Sequence, residues 1–186
     1  MNLTNLFRKE QSASNHPQAQ TEEFCWSKTY RQQHPFKTAG VVTALTGRYL
    51  YAGMFIYAFS HKARHQWMWT DILQQHFRIR LADLDPESFH SSYLTRFAIP
   101  FYRPVAWFVT LGQLSISVSM VLGMGVRPNA ALGLFMLSNF VAGGFGNPSI
   151  APFITESVIL MALPTGQWLG LDQKLHQKYP TAIWFK

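Results

Sequence analysis

Charge is scarce in this sequence. Of its 186 residues only 13% are Asp, Glu, Lys or Arg, about half the share that a soluble domain carries. Cysteine is scarcer still. Cys25 stands alone, which excludes an internal disulfide framework and any multi-thiolate zinc or iron–sulfur centre built by this chain by itself. The sequence lacks a glycine-rich phosphate loop, a dinucleotide fingerprint and a nucleophile elbow. It also lacks any period of about 20–50 residues, so it is not a repeat protein. Aromatic residues, by contrast, reach 15%. Few charges together with many aromatics exclude a disordered chain.

The mean hydropathy of −0.01 conceals a partition. Between Pro104 and Gly170 only Arg127 and Glu156 are charged, and between Ala39 and Ser60 only Arg48. The other charges lie in the first 37 residues, in 62–103 and after Leu171. Four apolar runs result, at about 39–60, 105–125, 129–145 and 149–170. Each approaches the roughly 20 residues that a helix needs to cross about 30 Å of hydrocarbon. A soluble bundle of four buried helices would need all four to lack charge on every side. The expected fold is therefore all-α, a bundle of four transmembrane helices. The breaks suit it: Gly125-Val126-Arg127-Pro128-Asn129 is a short hinge, and Gly143 to Pro148 is another. Pro152 and Pro164 fall inside the fourth run, and Pro164-Thr165-Gly166 marks a place where that helix can unwind.

Residues 1–36 read as a polar N-terminal tail, 37–175 as the membrane domain and 176–186 as a C-terminal tail. The tail lacks the short apolar core of a signal peptide, so the first run is expected to act as an uncleaved anchor. With four spans, both termini and the 125–129 hinge share one side. That side carries nine Lys and Arg against six on the other, which by the positive-inside rule places the termini in the cytoplasm. The extramembrane stretch 62–103 is too patterned for a simple link. Trp67, Trp69, Ile72, Leu73 and Phe77 alternate with Asp71, His76, Arg78 and Arg80, the spacing of a helix lying on the membrane surface. A second short helix is expected from Pro86 through Phe97. The basic residues flank apolar runs and belong to no nucleic-acid motif, so no nucleic-acid partner is expected.

Three groups of residues could carry chemistry. Arg48 sits well inside the first run, where a cation costs a few kcal/mol. Glu156 is the one acid in the four runs. In antiparallel helices the two differ by only about 6 Å in depth, so an intramembrane Arg48–Glu156 pair is allowed, either as a ligand or proton site or as a structural lock. His61 and His65 lie four apart on one helical face, a spacing that suits a metal, although no third ligand is evident. Lys62, Gln113 and Ser117 could line a site for a quinone head group. Gln113, Ser115, Ser117 and Ser119 also suit hydrogen bonds between helices. Cys25 lies in the polar tail, where a nucleophilic role is the less expected one.

The order of these features resembles the DoxX/DoxD-like family of small four-helix bacterial membrane proteins. The residues that carry the resemblance are Arg48, Gly53 and Lys62, then Leu122-Gly123-Met124-Gly125 with Arg127, then Glu156, and finally Gly166-x-x-x-Gly170-Leu171-Asp172. The resemblance covers about residues 40 to 175. It departs from the family at Gln113, where relatives typically carry Glu, and at Phe59, where a second Gly is usual. It implies the bacterial inner membrane and makes Arg48, Lys62 and Glu156 the carried-over polar positions. It further implies partners among membrane lipids and other membrane subunits. The expected function is that of an integral subunit of a larger membrane complex with a structural or assembly role. The alternative is a quinone-linked oxidoreductase component like the small subunits of thiosulfate:quinone oxidoreductase, with quinone as cofactor. A small-solute transporter is the weakest reading, because the sequence shows no inverted repeat.

Overall fold

The computed structural model describes residues 24–185, and among them there is no strand. The chain divides into two units at Gln33. In the first, Ser27 caps a short helix, α1 (Lys28–Gln33), by accepting from the Tyr30 amide at 3.2 Å. Phe24 packs edge-on against both Trp26 and Tyr30. The first 23 residues of the polar tail lie outside the described residues.

The second unit begins with α2 (Pro35–Arg64), which opens on proline in the first turn, where a missing amide hydrogen costs nothing. Its 30 residues make it roughly 45 Å long. It outruns the expected span at both ends and carries Lys37, Lys62 and Arg64 there. Thr43, Thr46, Arg48 and three tyrosines interrupt its apolar character. A short irregular turn leads to α3 (Ile72–Ala82) and α4 (Phe89–Tyr93), which continues as a π turn over Leu94–Ala98. Next comes α5 (Tyr102–Leu122), the one helix among the described residues long and apolar enough to cross a membrane. Gly123 ends it with φ +62°, and Gly125 with φ +61° starts α6 (Val126–Phe140). These left-handed positions favour glycine, because a Cβ there meets the backbone.

The end of α6 unwinds into a second π turn, Val141–Phe145, with Gly144 at φ 77°. A 3₁₀ turn, Pro148–Ile150, feeds α7 (Ala151–Ala162). The expected single run over 149–170 is broken at this point. Leu163 is extended (ψ 143°), as the residue before a proline prefers, and α7 ends. The chain then makes α8 (Thr165–Trp168), α9 (Asp172–Lys178) and a closing turn at Ile183–Phe185. That last turn folds back, and the Phe185 carbonyl accepts from Gln167 Nε2 at 2.8 Å.

α2 and α5 are antiparallel neighbours. Arg48 reaches Gly123 at one end, and the Trp69 ring meets Trp107 at 4.8 Å near the other. Tyr51, Phe55, Ile116, Met120, Val126 and Leu160 form the main core, joining α2, α5, α6 and α7. The stretch 62–103 builds a second core from Trp67, Leu73, Phe77, Leu94 and Ala98 against Ala106. Its amphipathic pattern is thus used against the bundle, while Trp69 and Ile79 stay exposed. Polar side chains fasten it to the second π turn. Arg80 Nε donates to the Gly144 carbonyl (2.8 Å) and His90 Nδ1 to the Ala142 carbonyl (2.9 Å). Tyr93 donates to Asn139 Oδ1 (2.7 Å). A π turn frees backbone carbonyls, and here those of Ala142 and Gly144 find side-chain donors.

Candidate functional site

Two polar clusters sit at opposite ends of the α2–α5 pair. The first is centred on Arg48, which is fully buried. A buried guanidinium must have its donors satisfied. Nη1 donates to the Thr165 carbonyl and Nη2 to the Leu169 carbonyl, each at 2.7 Å, Nη2 also donates to Tyr49 Oη at 3.0 Å, and the buried Nε is left without a partner among the described residues. The break after Leu163 is what makes this possible. It turns the chain so that the Thr165 carbonyl, which also accepts from the Leu169 amide at 3.3 Å, and the Leu169 carbonyl both reach Arg48.

Asp172 completes this cluster. It is buried, and its Oδ1 and Oδ2 accept from the amides of Gly125 (2.7 Å) and Val126 (3.2 Å). It therefore caps the N-terminus of α6, where an acid also suits the helix dipole. Two backbone bonds run alongside, from the Leu171 amide to the Leu122 carbonyl (3.1 Å) and from the Asp172 amide to the Gly123 carbonyl (2.9 Å). Gly166 leaves the space that the Asp172 carboxylate fills, and Gly123 and Gly170 bring two backbones into direct contact.

The expected Arg48–Glu156 pair is not formed. The acid in electrostatic reach of Arg48 is Asp172. Glu156 lies instead against Gly47, whose missing side chain leaves room for the carboxylate, and its buried Oε1 has no hydrogen-bond partner. The depth arithmetic placed the two residues at a similar level, but adjacent positions on α2 face directions about 100° apart. Gly47 faces Glu156, and Arg48 faces α8. Glu156→Gln is accordingly expected to change thermal stability by less than about 1 kcal/mol. A loss as large as that from removing Arg48 would reinstate the pair.

Burial holds the Asp172 carboxyl above the ordinary aspartate range, while the Gly125 and Val126 amides, Arg48 and Arg127 pull it down. A raised folded-state value means that the fold binds this proton more tightly than the unfolded chain does. The resulting stability is full below the unfolded value and is lost as pH rises through the folded value. Asp172→Asn should remove that dependence and cost about 1 kcal/mol, because one of two capping bonds is lost. Thermal unfolding of both proteins between about pH 4 and 7 checks this. An unchanged pH profile in the variant would exclude Asp172 as its source.

The second cluster surrounds Lys62, which is only 7% exposed. Its Nζ lies 4.9 Å from the centroid of the Trp67 ring. No hydrogen bond or ion pair engages it among the described residues. Lys62 stands fourteen residues beyond Arg48, roughly 21 Å along α2, which corresponds to the turn around Thr110 on antiparallel α5. Thr110 and Gln113 are both buried, and Thr110 Oγ1 and Gln113 Oε1 have no partner.

Of the three residues expected to line a quinone site, Lys62 and Gln113 are buried and no hydrogen bond joins them. The Ser117 hydroxyl donates to the Gln113 and Leu114 carbonyls of its own helix (2.7 and 2.9 Å). His61 and His65 do come together, with ring centroids 4.5 Å apart. No group of three metal-ligating side chains is found among the described residues, so the metal reading gains no third ligand. Cys25 is exposed in the first unit.

Beside this cluster lies a cavity of about 500 Å³ lined almost wholly by carbon. Trp67 and Phe77 wall it on one side, Val105 and Val109 of α5 and Met136 of α6 on the other. Both π turns contribute, through Phe97 and Ala98 and through Gly143 and Phe145. Neither Thr110 nor this cavity has a signature in the sequence. Asp172 closes the Gly166-x-x-x-Gly170-Leu171-Asp172 motif, and its capping role is visible only in the structure. No family model, curated protein or solved structure matches the chain.

Proposed function

We propose that the chain is an integral subunit of a larger bacterial membrane complex, with α2, α5, α6 and α7 as a four-helix membrane bundle of the DoxX/DoxD-like kind. The observation that carries this is the placement of polarity. Arg48, Thr110, Gln113 and Ser157 are buried, while Leu50, Tyr57, Phe108 and Val158 on the same helices are exposed. In water such apolar flanks are an aggregation hazard. In hydrocarbon they are at home, and the polar groups must turn inward. α5 has the length and composition of a span, and α7 with its leading 3₁₀ turn is a shorter apolar helix. The resemblance is supported by the convergence of its motif residues, because Arg48, Gly123, Gly125, Gly166, Gly170 and Asp172 meet in one cluster.

A structural role fits the hydrogen bonds of that cluster, which tie Arg48 and Asp172 to backbone groups of this chain and leave Arg48 Nε and Thr165 Oγ1 without partners. The quinone-linked alternative rests on Lys62 and Gln113 alone.

The test is fractionation followed by native co-purification in a mild detergent. The protein should resist carbonate extraction and elute with other membrane proteins in fixed proportion. Release by carbonate would end the membrane reading, and a solitary protein with full biological activity would end the subunit reading. The lone Cys25 reports orientation without any mutation. With the termini in the cytoplasm, a membrane-impermeant maleimide should label it only after the cells are opened.

A further inference from the structure

The cavity beside Lys62 is too large to be a packing fault. Voids in close-packed interiors seldom exceed a water molecule, whereas about 500 Å³ is the size of a small-molecule site. Its polar lining is small: Tyr93 and Asn139 are bonded to each other, and His76 Nδ1 donates to the Ile72 carbonyl at 2.8 Å. The exposed rings of Phe97, Phe101, Phe108 and Phe135 put its mouth on the apolar flank of the bundle. Both π turns of the described chain border it. Such turns are rare and recur at functional sites, because they cost backbone hydrogen bonds.

One ammonium stands beside this cavity, next to a lining ring without itself lining the cavity. The Lys62 ammonium is within 5 Å of the centroid of the lining Trp67 ring. It is buried, and no carboxylate of the described residues pairs with it. A buried cation without an anion is costly. An anion supplied from outside would relieve that cost, and the Thr110 hydroxyl at the same level is still unpartnered.

We propose that this cavity binds a long-chain fatty acid, with its hydrocarbon chain among the aromatic side chains and its carboxylate paired with Lys62. One cavity and one ammonium suit one chain and one negative charge. A phospholipid would leave its second acyl chain without a place. The proposal concerns a ligand and stands apart from the subunit reading, which fractionation tests separately.

The experiment uses the full chain in phosphatidylcholine nanodiscs and a photoreactive, alkyne-tagged fatty acid, with adducts mapped by mass spectrometry. Adducts are expected on the segments 97–109 and 135–145. Lys62→Gln should reduce labelling about tenfold, and Lys62→Arg should largely retain it. Val109→Trp, which fills the cavity, should abolish it.

The chain-matched photoreactive alcohol should label weakly and ignore the Lys62 substitution. Equal labelling by acid and alcohol, or adducts elsewhere, overturns the proposal. So does stronger labelling by a photoreactive phosphatidylglycerol, which would make the occupant a structural lipid. Competition by a neutral quinone analogue that is equally effective against wild type and Lys62→Gln would assign the cavity to a neutral carrier. Circular dichroism identifies any variant that fails to fold, and the adduct map of the unmodified protein decides the matter in that case.

Discussion

Replacing Arg48 with alanine is expected to destabilise the bundle by at least roughly 3 kcal/mol. Two effects add. A large, fully buried side chain is removed, and large-to-small changes in cores cost about 2–5 kcal/mol. The Leu169 carbonyl also loses its donor, and an orphaned buried acceptor costs about 1–3 kcal/mol. Against these stands a gain, since the desolvation of the guanidinium is no longer suffered. Arg48→Met separates the contributions. It restores volume without hydrogen bonds and should cost about 2 kcal/mol. Arg48→Lys keeps the charge but cannot serve two carbonyls and Tyr49 at once. The expected order of stability is Arg, Lys, Met, Ala, with the alanine variant melting roughly 6–12 °C lower in detergent. A methionine variant as stable as wild type would show that the bonds to Thr165 and Leu169 contribute nothing.

That Arg48 is buried was legible in the sequence, but its partners were not. A lone cation in an apolar run must be satisfied by something, and a search among side chains leads to Glu156. The acceptors are backbone carbonyls, which every residue has, so no side-chain pattern announces them. They become available because Pro164 forces Leu163 out of helical geometry and the chain turns. The proline was visible, but the direction of the turn was not. The glycine breaks at Gly125 and Gly143 to Pro148 were legible for the opposite reason: a left-handed backbone position selects glycine directly. Glycine there says little about what fills the space, so the closeness of Gly123 to Gly170 had to be observed.

The stretch 62–103 was readable as amphipathic helix, because alternation of charge and aromatics is a property of sequence. Its apolar face was assigned to the membrane surface, and it packs on α5 and the end of α6 instead. Periodicity gives the face of a helix but not what covers it. The π turns were hidden more deeply. Leu94–Ala98 and Val141–Phe145 differ from ordinary helix by one inserted position per turn, which leaves no compositional trace. The cavity they border could not be inferred without coordinates.

Gly170→Ala is expected to be about as damaging as the loss of Arg48, and the comparison with neighbouring glycines makes it specific. A Cβ at Gly170 would lie 2.6 Å from both Cα and the carbonyl oxygen of Gly123, and 2.8 Å from the Gly166 oxygen. All three are backbone atoms, which cannot swing aside as a side chain would. The link between α8 and α9 must then move away from the α5–α6 turn. That movement stretches the Leu171–Leu122 and Asp172–Gly123 backbone bonds and draws the Asp172 carboxylate off the α6 N-terminus. At about 1 kcal/mol per bond the loss is roughly 3 kcal/mol. Gly123→Ala meets the reciprocal clash, 2.7 Å from Gly170 Cα, and adds the strain of a left-handed residue. Gly125 shares that left-handed geometry, but its nearest atoms are side-chain atoms 3.7 Å away. Gly125→Ala should therefore cost only the backbone strain, about 1–2 kcal/mol, and Gly125→Asn less, since asparagine tolerates the left-handed region. Thermal unfolding of the four variants, with protein recovered from membranes as a second readout, ranks them. If Gly170→Ala is no worse than Gly125→Ala, the backbone contact does not hold the α8–α9 segment in place, and the Arg48 carbonyl contacts must carry it alone.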